Sequence, residues 1–170
     1  MRKLLLIGLL ISINQLKGIS QELVAFNDKN GFLFSVQFMG LIDQPRISSV
    51  IGYKTGKIVY LAGYEVSNYN FWTPHGFMGG IQLYPHRNQK KLKIFYHALI
   101  SYKWNLDDDY PRMYLLHVGG GLDYFFKKNF SIGCNFGFGI GKMKEKEYLD
   151  YSSVIDINPN LTIKYFLFSN

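Results

Sequence analysis

Ser67, His75 and the run Asp107-Asp108-Asp109 carry the side chains that an acyl-transfer centre needs: a hydroxyl to attack, an imidazole to take its proton and a carboxylate to orient the ring. All of them fall near one end of the segments described below. Spacing does not set their mutual geometry, so they remain a candidate set. The aspartate run also has the chemistry of a hard-cation ligand. Three adjacent carboxylates converge on one ion only with further ligands. A solvated loop tip is therefore the expectation, with no metal and no cofactor.

A second group shares one parity along successive alternating segments: Gln37, Glu65, Gln82, Lys93, His97, His117, Asp123, Asn135 and Lys164. Enclosed charges are tolerated when they are paired. These residues are expected to form a polar network of satisfied groups rather than a catalytic centre. If Trp104 lies near Met113, Asp123 faces Lys93 or Phe95, and His97 faces Gly119 or Gly121. A Lys93–Asp123 contact is the expectation.

The elements that position these groups are strands. Phe130 to Gly141 alternates Phe130, Ile132, Cys134, Phe136, Phe138 and Ile140 with Ser131, Gly133, Asn135, Gly137, Gly139 and Gly141. A strand sends these two sets to opposite faces, one bulky and one nearly bare. A helix would scatter the glycines, each costing about 1 kcal/mol relative to Ala. Similar segments separated by turn signals are predicted at 31–41, 46–54, 57–67, 75–84, 91–104, 113–126, 129–142 and 157–168. In the fifth, Ile94, Tyr96, Tyr102 and Trp104 share the greasy face.

Size decides which face points outward. The last four segments alone put more than twenty bulky groups on the greasy face. An eight-stranded barrel encloses only enough room for its own side chains. The greasy face must then point out, which in water would aggregate. Lipid is the remaining solvent, and lipid requires a sheet closed on itself. The expected lipid-facing set is Ile94, Tyr96, Tyr102, Trp104, Phe130, Ile132, Phe136, Phe138 and Ile140. Tyr102 and Trp104 near one rim, and Tyr124, Phe125 and Phe126 near the other, would supply interface aromatics. By parity Phe95, Phe125 and Phe166 point inward and favour a closed bore.

The first twenty residues read as an address. Arg2 and Lys3 precede the apolar run Leu4 to Ile13, and Gly18-Ile19-Ser20 offers small residues before a cut ahead of Gln21. Residues 1–20 are thus an expected signal peptide, and 21–170 one barrel domain. Without the leader, 16 basic and 12 acidic residues remain, a mild excess with no concentrated basic stripe, so nucleic acid is not an expected partner. Cys134 is the single cysteine, which rules out an internal disulfide.

The connections on the side of the chain termini are predicted short and basic: Lys54 to Lys57, Pro85 to Lys90, and Lys127 to Asn129. On the other side Ile42 to Pro45, Asn68 to Pro74, Asn105 to Arg112 and Lys142 to Asp156 are mostly longer. The last is the longest and the expected contact surface for a surface protein partner.

On the leader, the alternation of Phe130 to Gly141 and the final strand Leu161 to Phe168, the chain resembles the small outer-membrane β-barrel superfamily. These are the porin-like and OmpA/OmpX-like eight-stranded proteins. The resemblance implies an all-β, eight-stranded antiparallel up-and-down transmembrane barrel, in contact with membrane lipids. It implies the outer membrane of a Gram-negative-type bacterium, reached by export with a cleaved signal peptide. A non-enzymatic structural or surface-interaction role through the outer loops is the leading expectation. The alternatives are a narrow porin-like channel, a lipid A-modifying enzyme and a soluble lipocalin-like carrier. A lipid A deacylase would need His-x-Ser on a strand, which neither His97-Ala98-Leu99 nor His117-Val118-Gly119 supplies. The palmitoyl transferase type finds no matching Asp-Ser pair. A carrier would need a polar exterior.

Overall fold

Alternation of large apolar and small or polar residues over ten or more positions makes a strand with two unlike faces. The computed structural model, which describes residues 29–41, 44–67, 73–85, 91–105, 112–144 and 151–168, contains eight of them. They are β1 (Gly31–Leu41), β2 (Gln44–Thr55), β3 (Ile58–Ser67), β4 (Pro74–Leu83), β5 (Leu92–Asn105), β6 (Arg112–Lys127), β7 (Phe130–Lys144) and β8 (Tyr151–Phe168). Each pairs antiparallel with the next, and β1 pairs with β8 to close the barrel. The expected leader lies outside the described residues.

The registers fix the shape of the wall. Stepping across partners from Ser131 leads to Lys164, Ser35, Val50, Gly63, Met78, Ser101, Leu115 and back onto β7 at Gly141, ten residues higher. That stagger, with strands about 4.8 Å apart and a rise of about 3.3 Å per residue, tilts the strands by about 40°. Every strand exposes its bulky face outward, as at Phe34, Ile51, Tyr60, Phe77, Ile100, Val118, Phe138 and Leu161. On β7 this band runs from Phe130 to Ile140. At that tilt ten residues cover about 25 Å, the height of the apolar belt of an outer-membrane barrel.

One end of the barrel carries the short turns, and we call it the turn end. Gly56, in the left-handed region at φ 55°, starts the two-residue turn between β2 and β3. Lys128 and Asn129 turn β6 into β7, with a register shift between Phe125 and Lys127. The other end, the loop end, differs from expectation. β7 continues to Lys144 and β8 starts at Tyr151, so most of the expected Lys142-to-Asp156 loop is a paired hairpin extension. The connection between β4 and β5, at the turn end, is longer than any at the loop end. Above Asn160 the pairing of β8 with β1 stops, next to Pro159, which has no N–H to donate.

A plug of apolar side chains fills the bore at the turn end: Leu33, Val59, Tyr84, Phe95, Phe125 and Phe166. Phe125 therefore leaves the set of rim aromatics, because β6 alternation turns it inward between Tyr124 and Phe126. At the loop end a run of touching rings crosses β3 to β6 on the outside. Tyr64 meets His75 and Phe77, Phe77 meets Trp104, and Tyr102 meets Trp104 and Tyr114. Rings with a polar tip suit the water–lipid boundary.

Candidate functional site

The interior is the part of this molecule with organised chemistry, and it is layered. Near the turn end, above the plug, Asp123 from β6 is fully enclosed. Its Oδ2 accepts from Lys164 Nζ at 2.8 Å and from the Tyr84 hydroxyl at 2.5 Å. Tyr84 reaches this point because its backbone N–H donates to the Lys57 carbonyl at 2.8 Å, just past the end of β4. Lys164 also lies 4.0 Å from the Phe95 ring centroid, a cation–π contact in a dry setting. Lys93 lies directly across the β5–β6 register from Asp123, as its expected contact required, while the carboxylate is held from β8 by Lys164. Below them Lys54 turns into the mouth of the bore, where Nζ donates to the carbonyls of Lys29 and Gly56 at 2.7 and 2.6 Å.

Near the loop end a second network draws on five strands. Arg46 of β2 grips both oxygens of Asp156 of β8, at 2.7 and 2.5 Å. Asp156 Oδ2 also meets His117 Nε2 of β6 at 2.8 Å. Lys103 of β5 pairs with Glu65 of β3, whose Oε1 accepts from Ser67 at 2.9 Å. A bidentate arginine–carboxylate pair is among the strongest and most directional polar contacts available. Between the two networks His97, Gln37, Gln82 and Asn135 surround a gap of about 20 Å³, room for about one water. Asn135 accepts from Asn160 Nδ2 at 2.9 Å across the β7–β8 pair.

The bare face of β6 and β7 now has a physical reason. A Cβ on Gly139 would run into the His117 ring, and one on Gly133 into the Asp123 carboxylate. A Cβ on Gly121 would lie 2.7 Å from Phe95 Cζ, and one on Gly119 2.9 Å from His97 Cε1. Absent side chains make the space in which the ionic groups lie. Gly139→Val should displace His117 from Asp156 and lower stability by about 1–3 kcal/mol, the range for overpacking. Gly79→Ala, whose Cβ meets nothing closer than 3.6 Å, should change it little. Urea titration of both variants in micelles compares them.

The candidate acyl-transfer residues are separated by the wall. Ser67 is buried inside against Glu65, whereas His75 lies on the outer side, 2.6 Å from the Tyr64 hydroxyl. Asp107 to Asp109 lie outside the described residues. Of the inward set, Glu65, His117, Asp123 and Lys164 fall into the two ion networks, Lys93 lies beside the lower one, and His97 and Asn135 line the central gap. Sequence reasoning missed Arg46, Lys103, Asp156 and Tyr84. Arg46 has the parity of Ser48 and Val50, and Lys103 that of Lys93, so alternation could have found both. Asp156 is hidden from that reading because the predicted segment begins at residue 157, whereas β8 begins at Tyr151. Of the expected outward set, Ile94, Tyr96, Phe136, Phe138 and Ile140 are exposed, and Tyr102, Trp104, Phe130 and Ile132 are half-buried among neighbouring rings and strands.

No family model and no curated protein matches the sequence. Solved structures share its architecture, among them the following two. The N-terminal β-barrel domain of Pseudomonas aeruginosa OprF aligns over 83% of this chain and 98% of its own, with a TM-score of 0.59 and 13% identity. Neisserial surface protein A (NspA) aligns over 82% of this chain and 96% of its own, with a TM-score of 0.53 and 11% identity. The chain has the fold of the small outer-membrane β-barrels. At these identities the likeness is one of fold.

Proposed function

We propose that this chain is a non-enzymatic outer-membrane barrel with a sealed bore, serving a structural or surface-interaction role through its loop end. The observation that carries the reading is the inversion of the wall. Apolar side chains face outward on all eight strands, while Arg46 with Asp156, Lys103 with Glu65 and Lys164 with Asp123 face inward in pairs. Such a surface is stable only against acyl chains. The soluble-carrier reading loses its footing on the same observation. The sealed bore is supported by the plug of Tyr84, Phe95, Phe125 and Phe166 and by the single-water gap above it. The non-catalytic reading is supported by the placement of Ser67 and His75 on opposite faces.

Planar-bilayer recording tests the sealed bore. The inserted wild-type chain is expected to give no conductance steps of stable size, and reproducible steps would replace the sealed reading with a narrow channel. Mass spectrometry of lipid A from cells with and without the protein tests the enzymatic alternative. Identical spectra are expected.

A further inference from the structure

The outer face is not uniformly apolar. In the loop-end half of the described strands, outward-pointing side chains with a formal charge occur only at Arg112, Lys142 and Lys144, and all three sit together. Arg112 of β6 lies directly across from Lys144 of β7, and Tyr114 directly across from Lys142. Beneath this trio a groove of about 770 Å³ runs down the outside of β5 to β8, walled by Ile100, Tyr114, Leu116, Ile140 and Ile155, with Lys142 at its upper lip. A second outer groove of similar size, about 820 Å³, crosses β8 and β1 to β4 and has no charged residue in its wall. One groove therefore pairs an apolar trough with a cationic rim, and the other does not.

We infer that the β5–β8 groove is a binding site for one membrane lipid whose phosphate headgroup carries a net negative charge. An acyl chain lies along Ile100, Leu116, Ile140 and Ile155, and Arg112, Lys142 and Lys144 meet the phosphate at the rim. Both volumes lie in the range of sites that take one small ligand, so size alone does not choose between the grooves. Charge does. Basic side chains at the edge of an apolar belt attract anionic headgroups, and arginine presents two parallel donors to phosphate oxygens. Tyr114, at the boundary, offers an apolar ring with a polar tip.

The inference rests on the membrane placement proposed above. To test it, the full chain is refolded in zwitterionic micelles and titrated with dimyristoyl phosphatidic acid or dimyristoyl phosphatidylcholine, with bound lipid counted by native mass spectrometry. Phosphatidic acid should half-saturate one site at a concentration roughly tenfold lower than phosphatidylcholine. The triple variant Arg112→Gln, Lys142→Gln, Lys144→Gln should lose that preference, whereas Lys142→Arg with Lys144→Arg should keep it. Heat-dependent gel mobility checks that each variant is folded. Equal binding of the two lipids by the wild type, or an unchanged preference in the Gln variant, overturns the site. Complete displacement of phosphatidic acid by an equal concentration of inorganic phosphate also overturns it, in favour of a free-anion site. Failure of the membrane placement would show separately, as a chain that does not float with phosphatidylcholine vesicles. That result sinks both readings.

Discussion

Asp123→Ala is expected to lower the unfolding free energy by about 3–5 kcal/mol, the cost of stranding a buried charge. The stranded group is Lys164, 2% exposed, whose ammonium would lose the carboxylate now 2.8 Å away. Tyr84 would lose its acceptor in the same step. The loss should therefore exceed that of a hydrogen bond alone, about 1 kcal/mol. The double variant Asp123→Leu with Lys164→Met removes both charges, and it should recover most of the stability. Urea titration of the folded chain in vesicles, followed by tryptophan fluorescence, reads both. A single variant as stable as the wild type would show that Lys164 finds water or another anion, and that the lower network is not dry.

Phe136→Arg should cost about 2–4 kcal/mol in vesicles, because Phe136 is 58% exposed on the middle of the outer belt. Leu92→Arg, at the turn-end rim of the same wall, should cost about 0–1 kcal/mol. The contrast is diagnostic. In water an arginine at an exposed position is close to neutral wherever it lies. Equal, small effects at both sites would mean that the outer face does not meet acyl chains. The signature of the membrane is the dependence on depth, read from the difference between two substitutions of the same kind.

The wall was legible in the sequence because its signal is repeated. Alternation holds over ten or more residues in β5, β6 and β7, and each of those strands lies where parity put it. The β5–β6 register could be anticipated as well, since the turn between them bounds it, and His97 does face Gly119. The interior was less legible. Parity says that Lys164, Asp123 and Lys93 all point inward, but not that Lys164 reaches Asp123. That choice depends on the stagger between β6 and β8, two strands apart, which no local pattern encodes. The start of β8 was missed for a related reason. Asp156 falls at the end of the charged stretch from Lys142 that reads as loop, and an inward carboxylate looks like a loop residue until its partners Arg46 and His117 are seen. Ser67 and His75 looked like neighbours by number and are divided by the thickness of a sheet.

The last strand holds a key to both locks. Each ionic cluster is made of residues from earlier strands plus one side chain from β8: Asp156 for Arg46 and His117, Lys164 for Asp123 and Tyr84. A nascent chain short of β8 thus has mismatched charge at two levels of its hollow centre. A final strand seated one residue out of step would swing Asp156 and Lys164 into the oil and Ile157 and Tyr165 into the hollow. Wrong closure is penalised at two heights at once, so the closed ring carries its own proofreading, exercised only when β8 meets β1.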